Sequence, residues 1–191
     1  MSEKPIVPDA MLEEKVISKE VMFRGKLIRV EHWQVELPNG HTSLREVALH
    51  NGAAGVVAVD DEGKVVMVRQ HRIAVGRMTW EVPAGKLDSP DEDPLHCAKR
   101  ELSEETGLEA ESWEKLICLE TTPGFCTERI HLYLARGLHQ GVTHPDEDEF
   151  VATKREPIGT LVNQIMKGEI RDGKTIVAIM MAAERLRSTN I

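Results

Sequence analysis

Aromatic side chains are scarce in this chain: Phe, Trp and Tyr make up 4% of its 191 residues, and only one tyrosine is present. A core must therefore be built from Val, Ile, Leu, Met and Ala. A clustered basic surface is missing as well. Lys and Arg number 24 against 32 Asp and Glu, a formal charge of -8, and no block of cations stands out. That argues against a nucleic-acid polymer as partner, because binding a phosphate backbone needs concentrated positive charge. A small anionic substrate is still compatible, since it needs only two or three cations and divalent metal ions can supply the rest. Cysteine is limited to Cys97, Cys118 and Cys126, an odd count without CxxC spacing. A disulfide framework and a zinc site are both poor readings of it, and three reduced thiols in a cytoplasmic protein is the plain one. No apolar run approaches the ~18 residues of a membrane span. The stretch from Met1 to Lys19 is mixed and charged, so no secretory leader is expected. Repeats and low-complexity tracts are absent.

What is present reads as strands first and helices later. Val16 to Phe23, Leu27 to Leu37 and Ser43 to Leu49 carry β-formers, with turn signals at Arg24-Gly25 and Pro38-Asn39-Gly40. Asn39 and Gly40 both tolerate positive φ and suit a hairpin turn. Gly55 to Val59 and Lys64 to Arg69 are apolar on both faces and read as central strands, joined as a second hairpin across Asp60-Asp61-Glu62-Gly63. Thr79 to Val82 is a short strand stopped by Pro83. The period then changes. Asp93-Pro94 is a helix start, Leu95, Ala98 and Leu102 recur at helical spacing, and Gly107 is the expected stop. Strands resume at Ser112 to Glu120, Arg129 to Ala135 and Phe150 to Arg155. Helices at Ile158 to Lys167 and Lys174 to Ser188 close the chain. The order predicts an α+β fold, an α/β/α sandwich around a mixed sheet preceded by an antiparallel β region. Two parts are expected: residues 1–50 as N-terminal strands and residues 51–191 as the main domain.

The central helix is the informative segment, Arg100-Glu101-Leu102-Ser103-Glu104-Glu105-Thr106-Gly107-Leu108. At about 100° per residue, Glu101 and Glu105 lie about 40° apart, with Glu104 about 60° to the other side of Glu101. Three carboxylates therefore share one face. Like charges at this spacing are mildly destabilising, so the face is either merely solvated or holds a hard cation such as Mg²⁺ or Mn²⁺. The preceding Glu81-Val82-Pro83-Ala84-Gly85-Lys86-Leu87 tips the balance. A strand ending in Pro-Ala-Gly brings bare backbone close to the helix, where the carbonyl of Ala84 could complete a metal shell.

The stretch from Gly85 to Leu108 resembles the Nudix box, which runs Gly, five residues, Glu, seven residues, then Arg-Glu-apolar-X-Glu-Glu-X-Gly-apolar. Glu92, Arg100, Glu101, Leu102, Glu104, Glu105, Gly107 and Leu108 fall in register; six residues, not five, separate Gly85 from Glu92. The extra residue lies in a loop containing Ser89-Pro90, where length is tolerated. The resemblance implies a Nudix-type fold binding two or three Mg²⁺ ions (Mn²⁺ as substitute). Glu101 and Glu105 would be the principal ligands, Glu104 would join directly or through water, and Arg100 would orient the carboxylates. Hydrolysis of a diphosphate fits that equipment, because water attack on phosphorus needs charge stabilisation and alignment more than covalent help.

Further segments resemble the ADP-ribose pyrophosphatase branch. His144-Pro145-Asp146-Glu147-Asp148-Glu149-Phe150 is similar to the acidic loop that supplies its catalytic base, which makes Glu147 the first candidate and Glu149 the second. Pro123 stands fifteen residues beyond Leu108, as in that branch. Arg69 to Gly76 and Asp172-Gly173-Lys174-Thr175-Ile176 look like segments of it too. Arg72 and Arg45 would then contact the substrate phosphates, an ordinary ion pair being the alternative for each. The N-terminal strands resemble the branch's strand-swapped dimerisation region, which implies a homodimer. The function implied is hydrolysis of ADP-ribose to AMP and ribose 5-phosphate in the cytoplasm, without membrane or nucleic-acid partners. Alternatives are another nucleoside diphosphate sugar, such as GDP-mannose, or a non-catalytic nucleotide-sensing domain.

Overall fold

The computed structural model describes residues 8–141 and 151–189. The chain divides into two compact units, residues 1–50 with 122–128 and residues 51–121 with 129–191.

In the first unit, β1 (Lys15–Arg24), β2 (Arg29–Glu36) and β3 (Thr42–Leu49) form an antiparallel sheet in that order. The turn into β3 is closed by Leu37 N–H donating to the carbonyl of His41 at 2.8 Å. Gly40 takes φ 80° there, whereas among the described residues none other than glycine has positive φ. Asn39 therefore keeps ordinary backbone, and the glycine alone does the work expected of the pair. Residues 122–128 return to the end of β3, where Ala48 N–H donates to Phe125 O at 2.7 Å and Thr127 N–H to Ala48 O at 2.9 Å. β1 is an edge strand whose ten residues are all exposed.

Among the described residues the second unit holds two sheets. β7 (Ala84–Lys86), β4 (Ala53–Ala58), β9 (Arg129–Gln140) and β8 (Leu108–Glu120) form a mixed one, with β4 and β9 parallel and the other pairs antiparallel. β10 (Ala152–Pro157), β5 (Lys64–Arg72) and β6 (Arg77–Glu81) form an antiparallel one. The expected hairpin between β4 and β5 is thus corrected. Just past the end of β4, Val59 makes an isolated bridge to Val65, and the two strands part into different sheets. Asp60 begins the parting, because its carboxylate accepts the N–H groups of Glu62 and Lys64 and tightens the turn.

Alternation along β4 explains why its run is apolar throughout. Ala54, Val56 and Ala58 pack with Cys97, Ala98 and Leu102 of α1 (Pro94–Thr106). Val57 and Val59 face the other way, into a cluster with Leu161 of α2 (Ile158–Met166) and Ala178, Ile179 and Ala182 of α3 (Gly173–Thr189). Helices on both faces of a mixed sheet make an α/β/α sandwich within an α+β fold. α1 is bounded as its sequence predicts. Asp93 accepts from Leu95 N–H at 3.0 Å, Pro94 opens the first turn, and Gly107 ends the helix at φ 69°.

Candidate active site

The acidic face of α1 is turned inward. Glu101 and Glu105 are 5% and 6% exposed, values no solvated carboxylate face would give. Leu102 and Ala98 anchor the neighbouring stripe of the helix in the core, and that fixes the rotation which brings the glutamates against β7. There the backbone of Ala84 and Gly85 runs beneath them. Ala84 N–H donates to Glu105 Oε2 at 3.0 Å. A Cβ at position 85 would overlap the carboxylate of Glu101, so only glycine lets strand and side chain approach this closely.

Arg100 serves several of these groups at once. Its Nη1 donates to Glu101 Oε1 at 2.7 Å and to Glu104 Oε2 at 3.1 Å, and its Nη2 to the carbonyl of Lys86 at 3.2 Å. Burial opposes its charge, but Glu101, with smaller help from Cys97, Asp88 and Glu104, outweighs that and raises its pKa above the ordinary guanidinium value. Glu92 closes the six-residue loop by accepting Asp88 N–H at 2.6 Å, which shows how the extra residue is absorbed without disturbing the helix. Beneath the same loop the Cys97 thiol is pushed up to about 12, by burial first and by Glu101 second. It is an inert packing group.

The donor set fits a hard divalent cation. Three carboxylates face one guanidinium on this stretch, two of them are almost fully buried, and the cradle over Gly85 has no room for a side chain. Among the described residues no three His, Cys, Asp or Glu side chains are already gathered as a metal shell. Arg100 and the Ala84 amide hold carboxylate oxygens that a cation would compete for.

Arg72 projects from the end of β5, its side chain 42% exposed. Its Nε and Nη2 bind Glu81 side-on, at 2.9 and 2.7 Å. Glu105 adds to the field that raises the Arg72 pKa, behind the larger contributions of Glu81 and Asp172. Arg45 and Pro123 belong to the first unit and meet there, lining a cavity of about 440 Å³ with Trp33, Val35 and Phe125. Arg45 is engaged by Glu14 through Nε at 3.0 Å and Nη2 at 2.5 Å, the ion pair its sequence left open as an alternative. Glu147 and Glu149 lie outside the described residues. Sequence reasoning missed Glu81 as the partner of Arg72 and Lys174 as the second cation on Glu81; an acid two residues before Pro83 was the available signal.

Comparison with known proteins agrees with this geometry. The family model described as NUDIX domain matches residues 49–178. The chain belongs to the NUDIX family. It is 44% identical over 171 residues to the methanol dehydrogenase activator of Bacillus methanolicus, covering 88% of this chain and 92% of that protein. It is 44% identical over 170 residues to the ADP-ribose pyrophosphatase of Bacillus subtilis (strain 168), covering 88% and 91%. A solved structure described as an ADP compounds hydrolase shares the Nudix fold at TM-score 0.83 and 22% identity, over 93% of this chain and 97% of that one.

Proposed function

We propose that this chain hydrolyses the diphosphate linkage of ADP-ribose, giving AMP and ribose 5-phosphate. One observation carries the reading: a Nudix helix whose Glu101 and Glu105 are buried against a glycine cradle, in a chain 44% identical to a named ADP-ribose pyrophosphatase. Mg²⁺, with Mn²⁺ as substitute, would be held by Glu101, Glu104, Glu105 and the carbonyl of Ala84. A cation bound there supplies positive charge against the diphosphate and makes the attacking water more acidic. Arg100 keeps the carboxylates aimed at one place. Arg72 offers its remaining guanidinium edge to a phosphate, since Nε and Nη2 already bind Glu81. Glu147, or Glu149 in second place, accepts the proton of water as its oxygen attacks phosphorus and the bridging P–O bond breaks.

A homodimer in the cytoplasm is part of the same proposal. Among the described residues the outer edge of β1 has no pairing strand, and Val16, Ile17, Val21, Met22 and Phe23 are all at least 40% exposed, a surface suited to a second copy of this chain. The three cysteines are unpaired, which suits a reducing compartment.

The test is a panel of nucleoside diphosphate sugars with Mg²⁺, run on the wild type and on Glu105→Gln. ADP-ribose should give the highest kcat/KM, and the variant should lose it by orders of magnitude with the fold retained. Equal turnover of ADP-ribose and GDP-mannose would refute the substrate assignment. A second reading, activation of an alcohol dehydrogenase, is favoured by the equal identity to the Bacillus methanolicus activator. Adding the chain to methanol dehydrogenase and measuring its rate separates the two.

A further inference from the structure

Asp172-Gly173-Lys174-Thr175 opens α3, and its side chains reach the end of β6. Asp172 caps the helix: its carbonyl accepts Ile176 N–H at 3.0 Å, and its Oδ2 accepts Thr175 N–H at 3.0 Å and Thr175 Oγ1 at 2.6 Å. The Thr175 hydroxyl oxygen in turn accepts Val82 N–H at 3.0 Å, the residue that follows β6. Lys174 Nζ donates to Asp172 Oδ2 at 3.0 Å and also to Glu81 Oε2. The start of α3 is thereby stitched to the end of β6 at two adjacent points.

Glu81 is the centre of the arrangement. Its side chain is 1% exposed, yet it receives Arg72 Nε and Nη2, Thr79 Oγ1 at 2.5 Å and Lys174 Nζ. Arg72, Lys174, Glu81 and Asp172 form a set of two cations and two anions. The carboxylate cannot rotate without breaking several charge-assisted bonds, so the plane of the Arg72 guanidinium is fixed along two bonds. Nη1 makes no hydrogen bond among the described residues. Held side-on, Arg72 presents that edge from the end of β5, within the electrostatic reach of Glu105.

We propose that Lys174 and Glu81 are positioning residues for Arg72, locking its guanidinium so that one edge is preorganised for a phosphate of the substrate. This rests on the assignment of a diphosphate substrate above. Neither residue touches the reacting atoms. Their effect comes from sparing Arg72 the ordering cost when the phosphate arrives. Without Lys174, Glu81 keeps a buried charge with one cation fewer, draws Arg72 toward itself and leaves the set with net negative charge next to an anionic ligand.

The test is a double-mutant cycle on the full chain with saturating Mg²⁺, using whichever nucleoside diphosphate sugar the wild type splits best. Lys174→Met should raise KM about tenfold, the value of one charge-assisted phosphate contact, while kcat changes less than about threefold. In an Arg72→Ala background the same substitution should change KM less than about twofold. Lys174→Arg, which keeps charge and reach, should recover most of the loss. An equal KM increase in both backgrounds would overturn the proposal, as would a folded Lys174→Met with wild-type KM. Should Lys174→Met fail to fold, Thr175→Val removes the hydroxyl's bonds to Val82 N–H and Asp172 Oδ2, which hold the start of α3 against β6, and carries the same two expectations. A wild type that ignores ADP-ribose but splits another sugar defeats the substrate assignment alone; the cycle then runs on that sugar.

Discussion

Replacing Gly85 with alanine is the smallest change that should disable the acidic face. A Cβ built there meets Cδ and both oxygens of Glu101, well inside van der Waals contact. The backbone at Gly85 does not have positive φ, so alanine is conformationally permitted and the whole effect is steric. Glu101 cannot swing outward freely, because it is 5% exposed and tied to Arg100 at 2.7 Å. Either the carboxylate or β7 must shift by about an ångström. Overpacking of that kind costs about 1–3 kcal/mol, which for a chain of this length is roughly 2–12 °C in Tm. Activity should suffer more, because a displacement of about 1 Å at a positioning group costs on the order of 10²-fold. Differential scanning fluorimetry and a Mg²⁺ titration of kcat/KM measure the two effects together. Gly159→Ala is the control: a Cβ there meets nothing within 4 Å, and its Tm and activity should stay at or slightly above wild type. A Gly85→Ala enzyme with wild-type kcat/KM and metal dependence would refute the cradle.

Other outcomes follow from the same geometry. Burial alone would raise the pKa of Glu81, but the hydrogen bonds from Arg72 and the charge of Lys174 hold it at about 2, below its ordinary 4.5. A depressed carboxylate stabilises the fold above pH 4.5 and loses that contribution as pH falls through about 2. Wild type should therefore lose on the order of 3 kcal/mol more than Glu81→Gln between pH 5 and pH 2 in urea unfolding; parallel pH curves would contradict this. Leu102 is fully buried between α1 and the mixed sheet, so Leu102→Ala should cost about 2–5 kcal/mol in chemical denaturation. A loss under about 1 kcal/mol would mean that the helix is not packed as described. EDTA should abolish turnover while Tm moves little, since Arg100 and the Ala84 amide already satisfy carboxylate oxygens without metal. Unfolding on chelation would instead indicate a structural ion.

Local signals carried the fold furthest where cause and effect lie close along the chain. The Asp93-Pro94 start and Gly107 stop of α1 are visible as residue types because the cap bonds span only a few positions. The inward rotation of Glu101 and Glu105 is legible for the same reason, since Ala98 and Leu102 set the apolar stripe beside them. Pairing was not legible. β4 has apolar residues on both faces and reads as a partner for β5, but its parallel partner is β9, whose first residue lies beyond position 120. β7 is three residues long and contains a glycine, too little for strand propensity to register. The Glu81–Lys174 contact spans 93 positions, and a single lysine after a helix cap gives no hint of it. Arg45 shows the limit of assigning roles by residue type. A guanidinium suits a phosphate, yet Glu14, far off in sequence, has taken up its fork.

The most direct measurement is an anomalous-scattering map from crystals soaked with Mn²⁺ and a non-hydrolysable ADP-ribose analogue. Peaks within coordination distance of both the Glu101 and Glu105 carboxylates, bridging to the analogue's diphosphate, are the predicted result. A diphosphate bound with no peak at those glutamates would contradict the assignment of α1 as the metal helix.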